Sequence, residues 1–284
     1  MTQTAAALAP RDESVLTGLR RAARAFPTLL RVGLAEVVAY RAEFIVWILT
    51  TNMPFVMLAI WHAVAADGGA IGRFGRPDFV AYYLGGWIIR LVTSTWLVWE
   101  LSMEIRSGGL STRLLRPLHP LYALSAQHLA ALPMRILVVT PVVIALVVLA
   151  GDHLAVRDPA LLGIFVASLV GAWLLIFFTM VLLGSLAFFL ESSLGVFEMW
   201  LALHSILSGY LVPLELLPGW VARIARVSPF DSMLAFPLET LIGMRDVRTA
   251  TAGLAQQWLY IAVVGIAGLA VWRRGVRRYV AFGG

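Results

Sequence analysis

Long apolar runs alternate with short charged connections along this chain, and the runs fall at about 43–64, 79–99, 131–150, 160–189, 194–213 and 252–272. Each is close to the roughly 20 residues that a helix needs to cross about 30 Å of hydrocarbon. The pattern predicts an all-α integral membrane protein of six transmembrane helices. Before the first run, Val15, Leu16, Leu19, Phe26, Leu29 and Leu30 interleave with Arg20, Arg21, Arg24 and Arg31 between Ser14 and Tyr40. That spacing predicts an amphipathic helix lying along a membrane face, with Pro27 as the point where it can break. It serves either as an anchor or as an elbow that packs on a partner subunit. The chain thus divides into an N-terminal segment (1–42), a transmembrane domain (43–272) and a basic tail (273–284).

Composition agrees, since 60% of the residues are hydrophobic and only 13% charged, against about 25% charged in ordinary globular chains. The net charge of +6 comes from 22 basic residues, all of them arginine. They cluster beside the apolar runs rather than forming a stripe that would track phosphates, so no nucleic-acid partner is expected. With six crossings both termini share a side, and that side collects six arginines before the first run, three in the 100–120 connection and four in the tail. The other side has Arg73, Arg76, Arg157, Arg223, Arg226, Arg245 and Arg248. The positive-inside rule then puts both termini in the cytoplasm and the protein in a cytoplasmic, or inner, membrane. No signal-peptide pattern stands in the first 40 residues. The chain lacks cysteine and lysine, which excludes thiol chemistry, a Walker A loop and a lysine Schiff base.

Between the second and third runs, Trp99 to Pro120 packs acid, base and bulky apolar residues together. Glu100 and Glu104 sit one helical turn apart, Gly108 and Gly109 make a turn, and Arg106, Arg113 and Arg116 precede the stops at Pro117 and Pro120. This reads as helix, turn, short basic helix and rigid stop, gripping a partner at a membrane face or forming a solvated loop. After the fifth run, Pro213, Pro218 and Gly219 interrupt the chain, and Trp220 to Val227 and Pro229 to Gly243 are apolar but too short to span. Ser228, Pro229 and Asp231 form a capping-box-like start for the second. Non-helical backbone at membrane depth must be buried or line a cavity, so short re-entrant outer helices are expected over about 214–245.

Two runs carry polar stripes. On the second, Gly86, Arg90 and Ser94 recur every four residues, and an arginine near the bilayer centre needs a partner, water or an interface. It either lines a path or bonds carbonyls between helices. On the fifth, Glu198, Ala202, Ser205 and Gly209 lie on one face with His204 and Ser208 beside them, which suggests close helix packing at a subunit interface or a pore group at His204. Arg135, near the end of the third run, is explained by snorkelling. The histidines at 62, 119, 128, 153 and 204 have no metal-ligand spacing, and the Ser208–Gly209 pair lacks the glycine and later histidine of an intramembrane protease. No catalytic constellation is expected. An ion-driven carrier and a membrane scaffold are two readings of such a chain, although no acidic residue is centrally placed in a run, as carrier ion sites require.

Three segments, EIRSGGLSTRLLRPLHPLY from Glu104, LSGYLVPLELLPGW from Leu207 and SPFDSMLAFPLETLIG from Ser228, together resemble the membrane subunit of ABC-2 type transporters, from a bacterial branch of permeases of uncertain function. The resemblance covers about residues 30–280. It implies a six-helix exporter half whose 100–120 connection carries a coupling helix, with Glu100, Glu104, Arg106, Arg113 and Arg116 as coupling residues. It also implies a separate ABC ATPase dimer that binds ATP and Mg, so that no cofactor is held by this chain, and a second, non-identical six-helix permease in the lipid membrane. The substrate class suggested is an amphipathic small molecule or drug, and the tryptophans at 87, 96, 99, 173 and 200 suit lipophilic cations or simply anchor the spans.

Overall fold

The computed structural model describes residues 15–42, 46, 52–150, 158–191 and 193–279. Thirteen helices follow among them: α1 (Val15–Ala39), α2 (Met53–Gly68), α3 (Arg76–Thr93), α4 (Leu97–Ser107), α5 (Leu110–Leu114), α6 (Pro120–Ala130), α7 (Leu132–Ala150), α8 (Pro159–Ser185), α9 (Leu194–Leu207), α10 (Gly219–Arg226), α11 (Pro229–Met233), α12 (Ala235–Leu241) and α13 (Val247–Arg278). Three stretches are long and apolar enough to cross a membrane, Pro120–Leu149, Pro159–Phe188 and Val247–Arg278, and Met53–Ala66 and Leu194–Leu207 are apolar but shorter. The start of the first apolar run, together with His153 and Arg157, lies outside the described residues.

Helix α8 is the centre of the fold, packed against α13, α4, α12 and α3. Its approach to α13 is close because small residues face bulky ones. A Cβ on Gly268 would lie 3.1 Å from the Phe178 carbonyl oxygen, and Gly171 sits directly under the Gln257 amide. Close backbone approach of this kind drives helix association in lipid, where burial of apolar surface gives no advantage. Gln257, fully buried, donates from Nε2 to the Ser168 carbonyl at 3.0 Å and the Ser232 carbonyl at 2.8 Å, tying α8, α11 and α13 together.

The apolar runs at 79–99 and 194–213 do not each form one helix. The first ends at Thr93, whose hydroxyl donates back to the Ile89 carbonyl. Ser94 is then extended, and a new helix starts at Leu97. The second ends at Leu207, and Gly209 takes a left-handed conformation with φ +79°. Glycine adopts that geometry without strain, and here it has little space, since a Cβ would fall 2.5 Å from the Tyr82 hydroxyl. The backbone freed by this turn is satisfied by two tyrosines of α3, with Tyr82 donating to the Gly209 carbonyl at 2.8 Å and Tyr83 to the Leu211 carbonyl at 2.9 Å. Buried carbonyls need such partners.

The amphipathic helix forms as expected and runs unbroken through Pro27. It packs on α6 of the same chain: the Tyr122 hydroxyl donates to the Ala22 carbonyl at 2.8 Å, and the Phe26 and Tyr122 rings lie 5.9 Å apart. The His119 and Trp272 rings, 6.2 Å apart, bring the end of α13 to this same region. Arg73 of the α2–α3 connection pairs with Glu215, in the segment before α10, at 3.4 Å.

Candidate functional sites at the 97–130 connection and the Arg90 cavity

Helix α4 ends where Gly108 turns left-handed at φ +83°, and α5 begins at Leu110, so the turn falls at the expected glycine pair. The reversal lays α5 back against α4 and aims Arg113 at both glutamates. Its Nε donates to Glu104 Oε1 at 2.6 Å, Nη2 to Glu100 Oε1 at 2.8 Å and Nη1 to Gln127 Oε1 of α6 at 3.1 Å. One guanidinium thus fastens three helices, using a planar donor fork that suits carboxylates better than a lysine would. The three ionised side chains are between 17% and 33% exposed. Burial raises the pKa of Glu100, while Arg113 pulls it down and Glu104 adds to the rise.

Of the five residues expected to couple to a partner, Glu100, Glu104 and Arg113 therefore face one another, whereas Arg106 and Arg116 are exposed. The exposed tip also carries Leu115, at 86% exposure, and Leu114. Sequence reasoning valued the charges and overlooked these leucines.

A second site forms where the 79–99 run breaks. The break at Ser94, Thr95 and Trp96 lines a cavity together with Arg90 of α3, Ile176 and Met180 of α8, Phe197, Trp200 and His204 of α9, and Met233 of α11. It holds about 60 Å³ of water-accessible volume, several times the roughly 10–15 Å³ that one water needs. Arg90 lies over the Tyr210 ring, 4.3 Å from its centroid, a cation–π contact. His204 is buried against Trp200, with ring centroids 4.9 Å apart, and among the described residues its Nδ1 has no hydrogen-bond partner. Arg135 does not snorkel: it is only 4% exposed and donates from Nη1 to the Ser94 carbonyl at 2.6 Å, satisfying backbone that the helix break leaves free.

The fifth-run stripe separates rather than forming one face. Ser94 and His204 join Arg90 at the cavity. Ser208 is fully buried, Ser205 donates to the Leu201 carbonyl at 2.8 Å, and Gly209 is the turn beneath Tyr82. Glu198 and Ala202 point outward instead, beside Met199 and Leu203. A helix that ends at Leu207 cannot carry one stripe as far as residue 209.

Helices α10–α12 hold a feature that residue patterns did not reveal. Arg226 Nη1 donates to Asp231 Oδ1 at 2.9 Å and Glu239 Oε2 at 2.6 Å. Arg245 Nε donates to Glu239 Oε2 at 2.9 Å, and its Nη2 reaches both Asp231 oxygens at 3.3 Å. Both carboxylates are 3% exposed. Burial, and then the Glu239 carboxylate beside it, pushes Asp231 up to about 6, against the pull of Arg245 and Arg226. Asp231 therefore serves this quartet rather than a capping box, and the Ser228 hydroxyl donates back to the Ala225 carbonyl at 2.8 Å. Pro229 does occupy the first helical position.

Among the described residues no group of histidines and acids is placed to hold a metal ion. No curated protein and no solved structure matches the chain. Residues 49–283 match the family described as ABC-2 family transporter protein, a stretch that takes in the 97–130 connection, the cavity and α10–α12. With most of its length matched and long apolar helices to hold it in lipid, this chain belongs to the ABC-2 family of transporter proteins and is a membrane protein.

Proposed function

We propose that the chain is one membrane half of an ATP-driven exporter, docking a separate ABC ATPase at the tip formed by Arg106 and Leu114 to Arg116. The Arg113 clamp is the observation that carries this reading. It joins the exposed tip to α4 and α6, so a force applied at the tip reaches both helices instead of bending a loose loop. From α4 a run of rings leads inward: Trp99 to Phe197 at 6.2 Å, Phe197 to Trp200 at 5.8 Å and Trp200 to His204 at 4.9 Å. Packed contacts of this kind can carry motion from the docking tip to the Arg90 cavity.

In this reading the six apolar runs cross the inner membrane with both termini cytoplasmic, and α10–α12 form the re-entrant outer rim. The exposed α9 face with Glu198 and Ala202 meets a second, non-identical permease. ATP and Mg bind in the partner ATPase dimer, whose closure pulls the tip and opens the cavity toward the outer end. An amphipathic small molecule is the cargo. An ion-driven carrier is less well supported, because the buried carboxylates Asp231 and Glu239 are both engaged by arginines, which fits a structural knot better than an exchanging ion site.

Purification of the tagged chain from its host in mild detergent, with mass spectrometry of stoichiometric companions, tests the assembly. Recovery of a Walker-A-containing subunit and a second permease is expected. Recovery of neither, with the chain intact in lipid particles, would remove the docking assignment.

A further inference from the structure

We propose that the cavity between α3, α8, α9 and α11 receives an amphiphile by its anionic head group, with Arg90 as the counter-charge. This deepens the exporter reading and rests on it, since it names the substrate class that such a subunit would take. Three observations converge. Among the described residues, Arg90 has the Tyr210 ring at 4.3 Å and no hydrogen-bond acceptor for its guanidinium. A part-buried arginine in an apolar run is costly to leave without an anionic partner. Among the described residues no carboxylate lines the cavity, so beyond the Tyr210 ring no anionic group there balances the charge, and a cationic guest would add repulsion to it. His204, 94% buried, offers an Nδ1 without a partner in the same lining.

The rest of the wall is apolar and aromatic, from Trp96, Phe197, Trp200 and Met233. A guest that satisfies both parts has an anionic group to accept from the Arg90 N–H donors and an apolar body to lie against the rings. Carboxylates, sulfonates and phosphate monoesters share that head-group chemistry, and the guanidinium fork can bind each in a bidentate way. The aromatic character that by itself suits lipophilic cations here forms the body of the pocket, and the charge at its polar end has the opposite preference.

The test compares pyrenebutyrate with pyrenebutyltrimethylammonium, which share a ring body and differ in the sign of the head. The chain, purified with whatever subunits stay bound, is placed in phosphatidylcholine nanodiscs without ATP. Binding is followed by energy transfer from tryptophan to pyrene, corrected for protein-free nanodiscs. The anion is expected to bind about tenfold or more tighter than the cation, as charge-assisted hydrogen bonding implies. Arg90→Gln should abolish that preference and Arg90→Lys should keep most of it. Equal binding of the two probes by the unaltered protein, or tighter binding of the cation, overturns the proposal whatever the variants do. Retention of the preference in a folded Arg90→Gln protein overturns the role of Arg90. Because no ATP-driven step is read, failure here leaves capture of an ATPase subunit as a separate result, and loss of that capture leaves the probe preference readable.

Discussion

Arg245→Ala is expected to lower the stability of the protein by about 3–5 kcal/mol, the range found when one partner of a buried ion pair is removed. The variant takes three hydrogen bonds from Asp231 and Glu239, both 3% exposed. It leaves two carboxylates to share Arg226. It also removes the guanidinium that packs over the Phe236 ring, 5.0 Å from its centroid. Because α10, α11, α12 and the segment before α13 all meet at this knot, the loss should appear as early unfolding of these helices. Thermal unfolding followed by tryptophan emission checks it. The paired variant Glu239→Gln with Arg245→Met, which removes one charge of each sign, is expected to recover at least half of the loss, because a missing pair is tolerated better than a missing partner.

Arg113→Ala should have the largest effect on energy coupling. The clamp is partly exposed, so its loss is expected to lower stability by only about 2 kcal/mol, below the range for fully buried pairs. Transport should suffer more. With Arg113 gone, Glu100 and Glu104 repel each other, α5 is no longer held to α4 and α6, and the tip can move without moving the spans. ATP-driven uptake by inverted vesicles is expected to fall about tenfold or more, within the roughly 5–150-fold that coupling energies of 1–3 kcal/mol produce. Insertion and ATPase binding should persist. Glu104→Gln keeps an acceptor for Arg113 Nε and should lose less. Normal uptake by both variants would detach the clamp from coupling.

Much of this arrangement is legible in the residue order. The apolar runs mark the bundle, the Gly108–Gly109 pair marks the reversal between α4 and α5, and Pro229 marks the start of α11, because each depends on local backbone preference. The break at Ser94–Trp96 is not local. Thr93, Ser94 and Thr95 are small enough to pass unnoticed in an apolar run, and the group that satisfies the freed carbonyl is Arg135, 41 positions away. The quartet is likewise assembled from four elements. A signal was available, however: Arg226, Asp231, Glu239 and Arg245 are opposite charges in a segment otherwise too apolar for loose solvation, and buried charges in such a place demand partners. The proposed docking tip is marked in the sequence by its charges, yet its exposure is set by how α5 folds back, which only the packing of Arg113 decides.

If the 106–116 tip meets an ATPase, a cross-linker placed there will capture it, and the absence of cysteine from the chain makes that placement simple. A photoactivatable maleimide cross-linker is attached to a Leu115→Cys variant, at the tip. A Val227→Cys variant, also highly exposed but at the outer helices, serves as the control. Both are irradiated in native membranes and their adducts identified by mass spectrometry. The account predicts an adduct with a Walker-A-containing subunit from the Leu115→Cys variant and none from Val227→Cys. An ATPase adduct at residue 227 alone, or none at residue 115 in membranes where the ATPase is present, would contradict it.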